Sequence, residues 1–219
     1  MNVLEALKNR HSTRVYKPDP VAPEVIREIV EAANRAPSWA NTQPWEVYVA
    51  GGATLDNLRK RYLENFQKEV PPHPDIALPT SWPEVHQERM FQLGAKRFAA
   101  LGIARDDQEA RRKTTEMNFN FFGAPHVVFL CMDRNLSPWS LFDLGSFAMS
   151  LMLAAQHKGL NTIPAVMLVA YPELIREELK IPENLSIVIG IALGYGDQEN
   201  IHNHFVTPRR NIDEFLKLV

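Results

Sequence analysis

Three long apolar runs place the strongest constraint on how this chain can fold. Residues 125–132 read Pro-His-Val-Val-Phe-Leu-Cys-Met, and residues 162–170 and 186–195 are similarly apolar. A strand that is apolar at successive positions must be covered on both of its faces. The runs therefore predict strands of one sheet, with residues 125–132 as a buried central strand. Residues 46–50 predict a further strand.

The segments between these runs predict the helices that cover the sheet. Helical spacing of apolar residues, or an uninterrupted helix-forming composition, marks residues 2–9, 23–36, 53–68, 84–101, 106–122, 142–157 and 172–179. Helices and strands alternate irregularly, which favours a layered α+β domain around one sheet over a strict βαβ succession. No repeat or linker divides the chain, so we expect residues 1–219 to form a single domain.

The predicted helix at residues 142–157 is apolar nearly all round. It also contains several small residues that permit close approach, among them Gly145, Ala148 and Ala154. A helix of this kind is buried on every side, and in a chain of 219 residues this indicates the core of a dimer.

Residues 70–122 form a long connection between predicted elements of the sheet. Five of the sixteen prolines fall within residues 70–83, and two helical stretches follow. Glycine and serine are scarce there, which favours an ordered excursion over a flexible linker. We interpret this region as an insertion that caps a pocket or reaches a partner chain.

Composition excludes several classes of function. A net charge of −2 favours neither a nucleic-acid partner nor an anionic membrane. The single cysteine, Cys131, excludes an internal disulfide and a cysteine-rich metal site, and no histidine pair has metal-ligand spacing. No stretch is long and clean enough to cross a membrane, and the first residues lack the order of a signal peptide, so we expect a cytoplasmic protein with no metal.

Two segments carry residues suited to binding an anionic, flat ligand. Arg10, Ser12 and Arg14 alternate, so an extended backbone projects all three side chains to one side. Two guanidinium groups beside a hydroxyl suit a phosphate, although solvated charged strands of this pattern are also common. The loop at residues 35–45 combines two prolines, short polar side chains and two tryptophans, which suits a heterocycle or simply a structured turn.

The motifs of other enzyme classes are absent. Residues 190–196 have the wrong spacing for a dinucleotide-binding glycine fingerprint, and there is no Walker loop, paired-histidine metal motif or Gly-x-Ser-x-Gly elbow. With no nucleophile or acid–base pair in view, a cofactor is expected to supply the chemistry.

Taken together, three motifs resemble those of the FMN-dependent nitroreductases. They are Arg10-His-Ser-Thr-Arg14, Pro37-Ser-Trp-Ala-Asn-Thr-Gln-Pro-Trp45 and Ile189-Gly-Ile-Ala-Leu-Gly-Tyr195, and the tail at residues 209–215 looks like the closing segment of the family. The resemblance implies an α/β/α sandwich with a mostly antiparallel central sheet. It also implies an intertwined homodimer in which two FMN sites are built from both chains.

The resemblance also implies particular cofactor-binding residues. In one subunit, the phosphate and ribityl chain of FMN would be held by Arg10, His11, Ser12 and Arg14. Arg209, alone or together with Arg210, would close the phosphate site. The flavin ring would be lined by Pro37, Ser38, Trp39 and Asn41 of the other subunit, by Pro164 and Ala165, by Gly194 and by Asn120. No side chain is expected to act as a catalytic group.

Two departures from the family pattern matter. Some relatives have an acidic residue and a glycine after the equivalent of Pro164, whereas this chain has Ala165-Val166, so backbone groups must make those contacts. The family tail often has a proline where Asn211 stands, which leaves the choice between Arg209 and Arg210 open.

The implied activity is a ping-pong transfer of electrons from NADH or NADPH to a nitroaromatic or quinone-like acceptor. Three alternatives retain the same fold with different flavin chemistry: reductive dehalogenation, enone reduction and oxidative cleavage of the flavin. A further alternative is an FMN-binding sensor without turnover. Residues 70–122 are expected to decide among them if they cover the substrate side of the flavin.

Overall fold

A four-stranded antiparallel sheet divides the protein into two apolar layers. The computed structural model describes residues 1–219. Its strands are β1 Glu46–Gly51, β2 His126–Asp133, β3 Asn161–Ala165 and β4 Leu185–Gly194, in the order β1-β2-β4-β3. Every neighbouring pair is antiparallel. This is the α+β architecture expected from the sequence.

The central position of β2 explains its uninterrupted apolar sequence. Alternate side chains point to opposite faces of a strand. Val127, Phe129 and Cys131 therefore join one apolar cluster, while Val128 and Leu130 join the other. All five side chains are buried, so each face of the strand is covered by helices.

Eight helices surround the sheet. They are α1 Val3–Asn9, α2 Pro23–Ala33, α3 Gly52–Gln67, α4 Glu84–Ala100, α5 Gln108–Phe119, α6 Trp139–His157, α7 Pro172–Leu179 and α8 Ile201–His204. Apolar side chains of α2 and α6 belong to one cluster, and those of α3 and α7 belong to the other. No helix is long and apolar enough to cross a membrane.

The third predicted strand is shorter than its apolar run indicates. The strand ends at Ala165, and residues 166–169 form a 3-10 turn instead of continuing to residue 170. The reason lies opposite the turn, where Leu168 packs onto Gly190 of β4. A Cβ atom at Gly190 would lie 2.5 Å from the Cβ of Leu168, so the chain turns over the sheet at this glycine.

The helix predicted at residues 142–157 begins earlier, at Trp139, and is not buried on every side in a single chain. Phe147 and Leu151 pack against the sheet and are completely buried. On the opposite side, Trp139 is 67% and Phe142 72% exposed. This leaves a large apolar surface uncovered.

Candidate functional site

The segment containing Arg10, Ser12 and Arg14 lies along the edge of the sheet. Ser12 forms a parallel bridge with Thr162 of β3, and the backbone N–H of Thr13 donates to the Thr162 carbonyl at 3.2 Å. Four residues later, Tyr16 forms an antiparallel bridge with Gly196, just past β4. The predicted extended backbone is present. Thr13, between the polar residues, points inward and is 1% exposed.

Asn203 of α8 fixes this segment, although the sequence did not mark it as a site residue. Its Oδ1 accepts the backbone N–H groups of Arg14 and Val15 at 2.7 and 3.1 Å. Its Nδ2 donates to the carbonyls of Val15 and Asp197 at 2.7 and 2.8 Å. The side chain is buried and its full hydrogen-bonding capacity is used, which holds the backbone of the arginine segment in place.

The predicted phosphate-binding arginines have no acidic partner. Arg10, Arg14, Arg209 and Arg210 take part in none of the ion pairs of the structure. Burial, with the nearby charge of Arg209, lowers the pKa of Arg10. Arg210 instead stacks on Phe215, with its guanidinium carbon 4.5 Å from the ring centre. Uncompensated positive charge of this kind favours the binding of an anion.

The remaining residues of the first motif are half-buried beside these arginines. Arg14 donates to the carbonyl of Ser12 at 3.1 Å. His11 Nδ1 lies 3.0 Å from the Asn9 carbonyl. The Ser12 hydroxyl has no hydrogen bond within the chain and is available to a ligand.

The loop containing Pro37, Ser38, Trp39 and Asn41 packs against α6 and not against the arginine segment. The Trp39 N–H donates to the buried carboxylate of Asp143 at 3.2 Å, and the Trp39 ring meets the edge of Trp139 at 6.1 Å. Ser38 Oγ accepts the N–H of Gln43 at 2.9 Å. The hydrogen bonds of the loop lie within it or reach α2, its C-cap Asn34 or α6, and none joins the arginine segment.

The same loop contains backbone strain. Ala40, Asn41 and Gln43 have φ values of 50°, 59° and 46°, in the left-handed region that non-glycine residues avoid. Strain of this kind persists where the surroundings over-determine the conformation, and it is concentrated at functional sites.

Pro164 and Ala165 lie at the end of β3, on the strand that pairs with the arginine segment. Pro164 is exposed and Ala165 half-buried. Asn120 follows α5, and its carbonyl accepts from Arg59 Nε at 3.3 Å, while its side chain makes no hydrogen bond. Asn120 precedes Phe121 and Phe122, which both have positive φ.

Gly194 has a packing role in this structure. A Cβ atom there would lie 2.6 Å from Cδ of Pro125 and 3.2 Å from Cδ1 of Tyr16. The glycine therefore allows β4 to approach Pro125 closely. This requirement exists whether or not a ligand is bound nearby.

The fold and the site together define an antiparallel α+β protein with an unpaired arginine row at one sheet edge. A profile described as the nitroreductase family matches residues 7–195. The chain is 34% identical to nitroreductase NfnB of Mycolicibacterium smegmatis, over 95% of this chain and 88% of that protein. It is 32% identical to a 4-nitrobenzoate reductase of Pseudomonas putida, over 94% and 91% respectively.

A solved structure agrees with these relatives. The FMN-dependent nitroreductase NfnB of Mycobacterium smegmatis, crystallised with NADPH, is 33% identical and superimposes with a TM-score of 0.92, with both chains covered completely. The chain belongs to the nitroreductase family.

The residues present fit FMN. Arginines without ion pairs and a free Ser12 hydroxyl suit a phosphate. The exposed ring of Trp39 on a rigid loop suits a flat heterocycle.

Proposed function

We propose that this protein is an FMN-dependent oxidoreductase that passes electrons from NAD(P)H to nitroaromatic or quinone-like acceptors. The observation that carries the proposal is the row of arginines without acidic partners along the edge of the sheet, in a chain of this family. The relatives named above, whose names include a 4-nitrobenzoate reductase and an FMN-dependent enzyme crystallised with NADPH, support the same activity.

Arg10, Ser12 and Arg14 would hold the phosphate and ribityl chain, with Arg209 closing the phosphate end. Charge-assisted hydrogen bonds contribute about 1.5–3 kcal/mol each, so two or three arginines suffice to retain an anion in a protein of net charge −2. The effect of the Arg209 charge on Arg10 favours Arg209 over Arg210 for this role, since Arg210 stacks on Phe215.

Bound FMN would supply the redox chemistry, taking two electrons from NAD(P)H and passing them to the acceptor in ping-pong order. The chain's own contribution is to position the two reactants, because hydride transfer needs the reacting atoms about 3–3.5 Å apart. The backbone N–H groups at the end of β3 would face the ring edge, since Ala165 and Val166 offer no carboxylate there. His11, Asn120 and Gly194 remain proposed neighbours of the cofactor.

The functional unit would be a homodimer. A single chain exposes the apolar side chains of Trp139 and Phe142 on α6, Val3 and Leu4 on α1, and Leu218 in the tail. Burying them in a second copy would also bring the strained loop at residues 37–41 to the other chain's arginine segment. Residues 70–122 would be an insertion that flanks the site. No residue of its helix α4 is fully buried.

The test is the absorption spectrum of the purified protein. We expect the two flavin bands, loss of the long-wavelength band when NADPH is added without oxygen, and its return when a nitroaromatic or a quinone follows. A colourless protein would contradict the cofactor assignment. A yellow protein that NADPH does not bleach, or that no acceptor reoxidises, would favour the sensor alternative.

A further inference from the structure

Arg97 lies on the exposed helix α4, but its charged side chain is partly buried. None of the residues of α4 is fully buried, yet Nε of Arg97 has no contact with solvent and no hydrogen-bond partner. A buried donor without a partner is costly, by about 1–3 kcal/mol and by more when the group is charged. The structure therefore leaves an interaction of this guanidinium unmade.

His202 of α8 has the same property. Its Nδ1 is buried without a partner. The next residue, Asn203, binds the backbone N–H of Arg14, which places α8 directly against the arginine segment. Two unpartnered nitrogen atoms therefore come from helices far apart in the sequence, and His202 is next to the residue that binds the Arg14 backbone.

The three groups affect one another electrostatically. Burial, and then the charge of Arg14, lowers the pKa of Arg97 to about 10. Burial, and then the charges of Arg97 and Arg14, lowers the pKa of His202. None of the three forms an ion pair with an acidic residue. The repulsion within the cluster is uncompensated.

We infer that Arg97 and His202, beside Arg14 of the proposed FMN site, form a second anion-binding site, which takes an oxyanion carried by a co-substrate. The FMN site already has its own charges in Arg10, Arg14 and Arg209, so the further basic groups call for a different anion. In a ping-pong reaction, both co-substrates use the same open cleft in turn. The shared chemistry is a phosphate or carboxylate oxygen: the 2′-phosphate of NADPH or the carboxylate of a nitroaromatic acid.

The inference rests on the proposed function and predicts selectivity between matched ligands. Replacing Arg97 by glutamine (Arg97→Gln) removes a charge-assisted interaction, which corresponds to about ten- to hundred-fold in affinity. We expect this loss in kcat/KM for NADPH but not NADH, or for 4-nitrobenzoate but not nitrobenzene. The substrate pair whose kcat/KM ratio changes shows whether the anion is the 2′-phosphate of NADPH or the carboxylate of the nitroaromatic acid. Lys96→Gln, at the adjacent exposed position of α4, is the matched control.

A binding measurement without turnover accompanies the kinetics. Benzoate and benzamide, or NADP⁺ and NAD⁺, are titrated into the FMN-loaded protein, and the change in the flavin spectrum gives each Kd. Weaker binding of only the more highly charged member in the Arg97→Gln protein supports the site. Equal effects on both members of both pairs, or loss of FMN with the ratios unchanged, overturn it.

Two further variants keep the test decisive. If the Arg97→Gln protein does not fold, Arg97→Met and His202→Leu, which remove the charge and the hydrogen-bonding nitrogen, are measured against the same pairs, and unchanged ratios in both overturn the inference. Failure of the proposed function is recognised separately, because the unaltered protein would then show no flavin or no turnover with any acceptor.

Discussion

At the scale of single residues, the site depends on side chains whose partners are remote in the sequence. Arg10, Ser12 and Arg14 are adjacent in the chain, and their alternation predicts a common direction. Asn203 holds their backbone from 188 or more positions away. The proposed binding groups are thus local in the sequence, while the contacts that fix their backbone come from the other end of the chain.

Replacing both Arg10 and Arg14 by alanine should release the cofactor. Two charge-assisted contacts contribute about 3–6 kcal/mol, so the Kd for FMN should rise by at least about a hundred-fold. Fluorescence titration of the apoprotein with FMN measures this. A double variant of two exposed basic residues on α2 and α3, Arg27→Ala with Lys60→Ala, is the control. Stoichiometric FMN in the first variant would show that the phosphate lies elsewhere.

Asn203→Ala should both destabilise the fold and weaken FMN binding. The change leaves the buried N–H groups of Arg14 and Val15 without an acceptor, which costs about 3 kcal/mol in the free energy of unfolding. Urea denaturation measures the stability, and a titration with FMN measures the second effect. Glu199→Ala, at an exposed position nearby, should change neither quantity. Unchanged FMN affinity would show that Asn203 does not support the proposed FMN site.

At the scale of elements, the proline-rich segment at residues 70–83 is an ordered part of the fold because one acidic residue anchors it. Asp75 accepts from Arg176 at 2.5 Å, from the Ile187 N–H at 2.8 Å and from Arg134 at 3.0 Å. The prolines indicate restricted backbone, and the Asp75 contacts decide where that backbone is attached. Its attachment to α7 and β4 positions the start of α4, which carries Arg97.

Asp75→Asn should lower the free energy of unfolding by about 3 kcal/mol at neutral pH, because Arg176 loses its buried counter-ion. Burial raises the pKa of Asp75, but the hydrogen bonds from Arg176, Ile187 and Arg134 outweigh it, and the net pKa lies below 3.8. The carboxylate therefore stabilises the fold above pH 3.8, and this contribution disappears as the pH falls through the folded-state pKa.

Urea midpoints measured across this range test the sign of the effect. The difference between the unaltered protein and the Asp75→Asn variant should shrink as the pH falls below 3.8. Asp106→Asn, at an exposed position before α5, serves as the control and should show no such dependence. A difference that grows on acidification would contradict the assignment of Asp75 as the anchor.

At the scale of the whole molecule, one chain leaves much apolar surface uncovered. Side chains from α1, α4, α6 and the tail are exposed, with Phe142 at 72% and Phe91 at 65%. Exposed apolar surface of this extent supports the proposed dimer interface. The loop at residues 37–41 contacts α6 beside that surface, so covering the surface and completing the site would be the same event.

Phe142→Glu should therefore convert the protein to a monomer and abolish FMN retention together. A charge in the middle of an apolar interface opposes association because it must be desolvated without a partner. Light scattering after size-exclusion chromatography gives the mass, and the ratio of flavin to protein absorbance gives the FMN content. Ala53→Glu, on the exposed start of α3, should leave both unchanged. A monomeric variant that retains FMN would show that FMN binding does not depend on dimerisation.

The sequence by itself determined the features that depend on short-range periodicity and chemistry. The apolar runs predicted β2 and β4 to within one residue, because a strand buried on both faces contains few polar residues. Residues 46–50 predicted β1 equally well, although only Ala50 of that strand is buried. The alternating arginines and the polar loop after α2 are common patterns taken singly, and it was their order along the chain that made them recognisable as family motifs. The motifs identified the family correctly.

Only the tertiary structure decided what depends on contacts between remote segments. The early end of β3 follows from the packing of Leu168 on Gly190. The backbone contacts of Asn203 and the unpartnered burial of Arg97 and His202 were invisible, because an isolated polar residue has no pattern and its contacts come from neighbours that the fold brings together. Local propensity specifies each element, whereas burial and charge pairing are properties of the assembled chain.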